Sequence, residues 1–237
     1  MTGTGVHAAL APQGVALLDV RRGLGQWRFL DPVGAQLWLD ITSGTAPADA
    51  IDKLTTRWQE RGADAAQVRV DLTALAADLD SAGLLLPADR PARNGALSIR
   101  FAPEADGGAL HRLAGHAGLS AALLLLRCLP VRFALTAARA VTRLPGRRAE
   151  MEDAEAAFAA VRRAARWWPG RAACLEESLA AHFASALTGH RVTWVIGARF
   201  TPHGAHAWIE ADGYIIGQEE TDRVWPYAPA LKVERSH

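Results

Sequence analysis

Hydrophobic residues in the first third of the chain follow two different periods. Residues 15–20 form a mostly apolar run, and residues 26–30 contain Trp27, Phe29 and Leu30. A turn with two glycines separates the two segments, which predict a pair of strands. Apolar residues then recur at intervals of three and four, which predicts three helices, over residues 32–42, 47–59 and 66–80. Residues 84–86 are enough for one short edge strand. Strands followed by three helices predict a small winged-helix-like domain.

A polar stretch separates this unit from the rest of the chain. Residues 88–96 contain Pro91 and Gly95 and predict a linker. We therefore divide the chain into a unit at residues 1–87, the linker, and a second unit at residues 97–237. After a short strand over 97–101, apolar residues recur at helical spacing in three segments, over residues 109–129, 132–144 and 152–167.

Cys174 begins a further helical segment, which Gly189 is suited to end. A residue in the first turn of a helix lies beside unpaired backbone N–H groups and the positive end of the helix dipole, and both favour an anion. With Arg171 nearby in the sequence, this position predicts a lowered pKa for the Cys174 thiol. A thiol with a lowered pKa is a candidate nucleophile.

A histidine follows on a predicted β-hairpin. Residues 191–200 are rich in β-branched and aromatic side chains and predict one strand. Residues 206–211 and 214–216 predict two more, joined by Asp212-Gly213, a strong signal for a two-residue turn. Helices packed on an antiparallel sheet, together with the first unit, predict an α+β protein.

The turn length decides which side chain lies opposite His206. A two-residue turn pairs His206 with Glu219, whereas a three-residue turn pairs it with Gln218, and opposed residues share one face of a sheet. Either side chain can hold the imidazole in one tautomer. Asp212 lies six residues along the chain, and at roughly 3.3 Å per residue it is too far away to orient the ring.

Three other histidines and the second cysteine are assigned structural or solvated positions. His182 is expected at a partly buried surface position of its helix, and His190 and His203 in solvated turns or loops. Cys128 ends a leucine-rich run and is expected to be buried and inert. The sequence contains no CxxC or HExxH motif, so we expect no metal site.

Charge is nearly balanced over the 237 residues but not along them. Residues 1–90 carry 8 basic and 11 acidic side chains, whereas residues 127–173 carry 10 arginines and 4 acids. The acidic first unit argues against a DNA-binding winged helix, because phosphate contacts need a basic face. We therefore expect no nucleic-acid partner.

The sequence also indicates the cellular compartment. There are two cysteines and no signal peptide at the N-terminus, which favours a reducing cytoplasm. The apolar run 119–126 is too short to cross a bilayer and is expected to be part of a core helix. We therefore expect no membrane contact, and a peripheral contact through this run stays open as the alternative.

Several motifs around Cys174 and His206 carry a resemblance to a known family. They are Cys174-Leu175 with Ser178-Leu179, the strand residues 195–197, and the AHAWIE segment at 205–210 followed by Asp-Gly. In these residues the second unit resembles the lasso-peptide B proteins, leader peptidases of the transglutaminase-like cysteine-protease superfamily. The resemblance implies a papain-like fold in which Cys174 is the nucleophile and His206 the general base and acid.

The sequence departs from that family at the third catalytic position. The family usually has an acidic residue about a dozen positions after the histidine, where this chain has Gln218. A Gln oxygen accepts a hydrogen bond from the imidazole but stabilises an imidazolium less than a carboxylate does. Glu219 is the alternative, and the two-residue turn favours it.

The first unit resembles the RiPP recognition element, a peptide-binding module related to the pyrroloquinoline-quinone peptide chaperone. The matching residues are Leu30-Asp31-Pro32-Val33-Gly34-Ala35, Leu37-Trp38, and the segment 71–85. In that family the leader of a precursor peptide adds as a strand beside the hairpin and packs on the third helix. The resemblance implies leader contacts from Trp27, Arg28, Phe29, Val68, Asp71, Leu72 and Leu75.

Together the two resemblances imply a leader peptidase of lasso-peptide biosynthesis. Its partners would be a ribosomal precursor peptide and a separate ATP-dependent macrolactam synthetase, and the chain itself would need no cofactor. Two alternatives stay open. One is an acyl transferase of transglutaminase type, and the other is a catalytically degenerate protein that only delivers the leader.

Overall fold

The computed structural model describes residues 5–87, 98–101, 108–218 and 227–235, with the backbone alone for residues 98–101 and 218. The predicted linker at 88–96 lies outside these ranges, as does Glu219. All structural statements below concern the described residues.

The N-terminal unit is a three-stranded antiparallel sheet followed by three helices. Its elements are β1 (Val6–Ala11), β2 (Gly14–Asp19), β3 (Gln26–Leu30), α1 (Pro32–Thr42), α2 (Pro47–Gln59) and α3 (Ala65–Ser81). The strand order is β1-β2-β3. The two predicted strands and three helices are confirmed, and β1 is an additional strand. Asp31 accepts a hydrogen bond from the Gly34 N–H at 2.7 Å and so begins α1 as the sequence predicts.

The predicted wing at residues 84–86 is wrong. The Leu84 N–H bonds to the Leu79 carbonyl at 2.8 Å, and Gly83 adopts a φ of 65°, so the chain closes the end of α3 instead of pairing with a strand. The Leu84 carbonyl also accepts a hydrogen bond from Trp38 Nε1 at 2.9 Å. This segment therefore packs under α1 as part of the core.

The C-terminal unit places helices against a five-stranded sheet. Its elements are β4 (Ser98–Phe101), α4 (Ala109–Cys128), α5 (Val131–Val141), β5 (Arg147–Arg148), α6 (Met151–Ala165), α7 (Cys174–Leu187), β6 (His190–Arg191), β7 (Thr193–Phe200), β8 (His203–Ala211), β9 (Tyr214–Gln218) and β10 (Ala228–Val233). The sheet order is β10-β7-β8-β9-β4, and β5 pairs with β6. All neighbours in the large sheet are antiparallel except β4 and β9, which are parallel.

Two glycines let the helices approach closely. A Cβ added at Gly118 of α4 would lie 2.5 Å from the Ala180 carbonyl oxygen of α7. A Cβ added at Gly115 would lie 2.7 Å from the Ala160 carbonyl of α6. Helix α4 therefore packs tightly against both α6 and α7, on the face where these glycines lie.

His182 and Cys128 do not lie where the sequence predicts, because His182 is buried and Cys128 is exposed. His182 is 3% exposed, and its Nε2 lies 3.0 Å from the Ala138 carbonyl oxygen. Burial lowers the pKa of His182, because an apolar environment disfavours the imidazolium. Cys128 is exposed, since α4 turns its last residue away from the face that holds Leu126.

The other two histidines lie in strands and not in loops. His190 is half-buried in β6, with its Nδ1 3.1 Å from Thr188 Oγ1 and its Nε2 3.4 Å from Asp153 Oδ1. His203 is exposed but begins β8, and its ring stacks on Phe29 with centroids 4.3 Å apart.

That stacking is part of an interface between the two units. Phe29 of β3 also meets Phe200 of β7 edge to face, at 5.9 Å between ring centroids. Five small buried residues form a cluster beside them, namely Ala9, Ala16, Ala198, Ala228 and Ala230. The N-terminal sheet therefore buries one face against its own helices and the other against the C-terminal unit.

Candidate active site

The site is built on the N-terminus of α7, whose first residue is Cys174. Glu176 accepts a hydrogen bond from the Ala173 N–H at 3.0 Å and so fixes the entry to the helix. The predicted start of this helix is confirmed. The first-turn N–H groups of an α-helix have no partners within the helix, so they remain available beside the thiol.

Arg127 of α4 holds the loop that leads into α7. Its guanidinium donates to the Arg171 carbonyl at 3.0 Å and lies 5.5 Å from the centre of the Trp168 ring. The same group lies 3.9 Å from a carboxylate oxygen of Glu176. Two contacts to the loop and one to the first turn of α7 restrain the backbone on both sides of Cys174.

The Cys174 thiol contacts the backbone of β8. Its half-buried sulfur has hydrogen bonds to the backbone groups of Ala207 and Leu175. Burial raises the pKa of the Cys174 thiol above its ordinary value, while those two hydrogen bonds lower it and the negative charges of Glu176 and Glu177 raise it further. The predicted lowering of this pKa is therefore wrong, because desolvation outweighs the helix terminus.

His206 lies in β8, one residue before the backbone group that the thiol contacts. It is half-buried and pairs with Gly197 of β7. Consecutive Cα atoms are about 3.8 Å apart, so the thiol at Ala207 is close to the backbone of His206. The structure thus places the Cys174 thiol beside the part of β8 that carries His206.

Two aromatic rings border the imidazole. The Trp208 ring centre lies 5.9 Å from that of His206, and the Tyr227 ring centre lies 5.1 Å from it. Trp208 shares a sheet face with His206, because side chains two positions apart along a strand point the same way. The imidazole is therefore held in an aromatic surrounding.

The Trp208 side chain is itself fixed from both sides. Its Nε1 donates to Glu210 at 3.0 Å, and Glu210 accepts from Lys232 Nζ at 2.8 Å. A Cβ added at Gly197 would lie 2.7 Å from the Trp208 ring, so the ring packs over the glycine. A larger residue than glycine at this position would displace Trp208 from its place beside His206.

The hairpin has the predicted two-residue turn. Ala211 pairs with Tyr214, and Asp212 and Gly213 adopt φ values of 48° and 80°. The described ladder ends at Ile209 and Ile216, before it reaches His206.

Beyond that point β9 is bulged. Gly217 has a φ of 83°, and the pairing with β4 shifts register between Ile99 and Phe101. The simple two-residue register therefore does not extend to Gln218, whose side chain is outside the described atoms, or to Glu219. Which of the two faces His206 stays a prediction.

The leader-binding candidates on α3 line a cavity. Val68, Asp71, Leu72 and Leu75 border a space of about 290 Å³ together with residues of α1 and α2. Asp71 is exposed and accepts a hydrogen bond from Gln67 at 2.8 Å. Asp31, which is also exposed, borders the same space, and an apolar wall with two carboxylates at its rim is suited to a peptide side chain.

The three candidates on β3 divide between the two faces of the sheet. Arg28 is exposed on the strand, whose only neighbour in the described sheet is β2. Trp27 packs on the core of the C-terminal unit, and Phe29 contacts Phe200 and His203. Trp27 and Phe29 therefore face the C-terminal unit, on the side of the sheet opposite Leu30 and the helices.

Sequence reasoning missed Arg127, Gly197 and Tyr227 as site residues. Arg127 follows a long run of leucines, and a charge that ends such a run was a usable signal. Tyr227 lies in an aromatic and proline-rich segment distant in the sequence, and only the pairing of β10 with β7 brings it to His206. Among the described residues there is no group of three or more His, Cys, Asp or Glu side chains that could hold a metal ion.

A comparison with known families is consistent with this geometry. Residues 117–232 match the family model described as Transglutaminase-like superfamily. No curated protein and no solved structure matches the chain. The superfamily includes cysteine peptidases and acyltransferases, and its fold is typically catalytic through a cysteine. The match covers Cys174 and His206 and identifies residues 117–232 as a transglutaminase-like superfamily domain.

Proposed function

We propose that this protein is a leader peptidase of lasso-peptide biosynthesis, which hydrolyses the bond between the leader and the core of a ribosomal precursor peptide. The observation that carries the proposal is the Cys174 thiol at the start of α7, bonded to the β8 backbone beside His206 within a transglutaminase-like domain. The sequence resemblance of both units supplies the substrate class.

The raised pKa of Cys174 defines what His206 has to do. A thiol that is mostly protonated near neutral pH needs a base as it attacks the scissile carbonyl. His206 takes the thiol proton while sulfur bonds to the carbonyl carbon, and the N–H groups of the first turn of α7 face the developing oxyanion. His206 then protonates the leaving amine of the core.

The second half of the reaction releases the leader. Water attacks the thioester between Cys174 and the leader carbonyl, and His206 accepts a proton from it. The leader leaves with a free carboxylate, and the thiol recovers its proton. Gln218 or Glu219 would orient the imidazole during both halves. No step needs a cofactor, and ATP would be used by the partner synthetase alone.

The leader would be held by the N-terminal unit. The free edge of β3 offers backbone groups to an added strand, and the α3 cavity offers an apolar pocket to its side chains. The interface at Phe29 then joins the bound leader to the hairpin that carries His206. We place the protein in the cytoplasm, where a free thiol survives.

Peptide cleavage tests the proposal directly. A precursor peptide encoded near this gene would be incubated with wild type, Cys174→Ala and the control Cys128→Ala, and the products read by mass spectrometry. We expect cleavage by wild type and by Cys128→Ala, because the Cys128 side chain is exposed at the end of α4, and none by Cys174→Ala.

The products also separate the alternatives. A free core N-terminus with a leader carboxylate means hydrolysis, whereas a leader joined to an added amine means acyl transfer. Binding of the precursor without cleavage by any variant would contradict the peptidase and leave delivery of the leader as the function.

The thiol titration tests the resting state of the site. In a Cys128→Ser background, the rate of alkylation of Cys174 by iodoacetamide should show an inflection above the ordinary cysteine value of about 8.5. Glu176→Gln should move this inflection down, because it removes a negative charge but keeps an acceptor for Ala173. An inflection below the ordinary pKa would show that burial does not dominate.

The leader pocket is tested with two valines of one helix. Val68 is half-buried and lines the α3 cavity, whereas Val70 is 61% exposed and does not. Val68→Gln should weaken binding of a fluorescent leader peptide about tenfold, since a polar group then replaces an apolar wall. Val70→Gln should leave the anisotropy titration unchanged, and equal effects of the two variants would place the leader elsewhere.

A further inference from the structure

The outer face of α4 is apolar and lies in solvent. Three of its leucines are more than half exposed, Leu110 at 61%, Leu113 at 70% and Leu124 at 62%. Their spacing keeps them on one side of the helix, and exposed Ala117 lies between them. The opposite side packs on α6 and α7. The leucine-rich run is therefore not simply a core helix, as the sequence predicted, because one of its faces has no cover among the described residues.

The charge around this face has one sign. From residue 108 to residue 149 the chain contains no Asp or Glu. The same segment contains seven arginines, and every one is exposed: Arg112, Arg127, Arg132, Arg139, Arg143, Arg147 and Arg148. Two of them lie beside carboxylates of neighbouring elements: Arg127 is 3.9 Å from Glu176, and Arg147 pairs with Glu150 and Asp153. Arg112, Arg132, Arg139 and Arg143 have no ion pair among the described residues, so the apolar stripe belongs to a segment whose own charges are all positive.

Aromatic rings are also exposed on α5 and on the turn after α6. Phe133 of α5 is 43% exposed, with the Arg132 guanidinium 5.0 Å from its ring centre. Trp167 is 83% exposed, and its neighbour Trp168 meets Arg127 at the end of α4. Tryptophan and arginine beside exposed leucines are typical of segments that lie at a lipid–water interface.

Other occupants fit this surface less well. A second copy on the same face would bring the arginines of both copies together, and like charges across an interface cost free energy. A spanning helix is also a poor description. Although α4 is long and apolar enough to cross a bilayer, its inner face packs against α6 at Gly115 and against α7 at Gly118, and 39% of its apolar stretch is buried.

We propose that the outer face of α4, with the flanking arginines of α4 and α5, binds the surface of an anionic lipid bilayer. The helix lies parallel to the surface, with Leu113 and Leu124 inserted among acyl chains and the guanidinium groups on lipid phosphates. Arg127 of this surface also donates to the Arg171 carbonyl in the loop before Cys174, so the bilayer would lie next to the active-site loop.

Vesicle flotation of the full-length protein tests the proposal. We expect binding to vesicles of phosphatidylcholine with phosphatidylglycerol and little binding to phosphatidylcholine alone, with the bound fraction falling as salt is raised. The double variant Leu113→Gln and Leu124→Gln should reduce the partition coefficient at least about tenfold. Leu24→Gln, a leucine 64% exposed in the N-terminal unit, should have no effect.

Charge is tested separately. Arg139→Gln with Arg143→Gln should reduce binding to anionic vesicles and flatten its salt dependence, whereas Arg57→Gln on α2 should do neither. Circular dichroism and thermal melts of each variant check that the exposed substitutions leave the fold intact.

Any of three results would overturn the proposal. One is equal flotation of wild type and the leucine double variant. Another is no vesicle binding together with a dimer in light scattering that the leucine double variant abolishes, which would assign the face to a second copy. Capture of an acidic protein partner by wild type, without vesicle binding, would likewise replace the lipid with a protein.

Discussion

The contact between the first turn of α7 and the backbone of β8 is the constraint on which the site depends. This contact between the Cys174 thiol and the Ala207 backbone holds the N-terminus of α7 against β8. Gly118 allows α7 to occupy this position, because the absence of a side chain there lets α4 pack tightly against α7. Arg127 then holds the loop before the helix. A nucleophile on a helix and a base on a strand need such packing, since neither element alone fixes the distance between them.

Two groups of effects act in opposite directions on the pKa of the Cys174 thiol. The helix N-terminus and the backbone hydrogen bonds favour the thiolate, whereas burial and the nearby Glu176 favour the neutral thiol. Burial is the larger effect. In the proposed mechanism the thiol is therefore protonated at rest, and the reactive thiolate forms when His206 accepts its proton. This makes the place of His206 along β8, between Trp208 and Tyr227, as important as the cysteine itself.

Features with a local cause could be predicted from the sequence. The start of α7 at Cys174, the cap at Asp31 and the turn at Asp212 each follow from the residues at those positions and their immediate neighbours. Features that depend on tertiary contacts could not. Periodicity does not say which face of α4 is covered, so Cys128 was placed in the core although it is exposed. The direction of the Cys174 pKa depends on packing against β8, and the approach of Tyr227 depends on how β10 pairs.

In the proposed mechanism a thioester on Cys174 links the two halves of the reaction, and hydroxylamine traps such a thioester. Wild type would be incubated with precursor peptide and increasing hydroxylamine, and the leader fragment analysed by mass spectrometry. We expect a leader hydroxamate that grows at the expense of the free acid, and neither product with Cys174→Ala. A leader released only as the free acid at every hydroxylamine concentration would contradict an acyl intermediate on this cysteine.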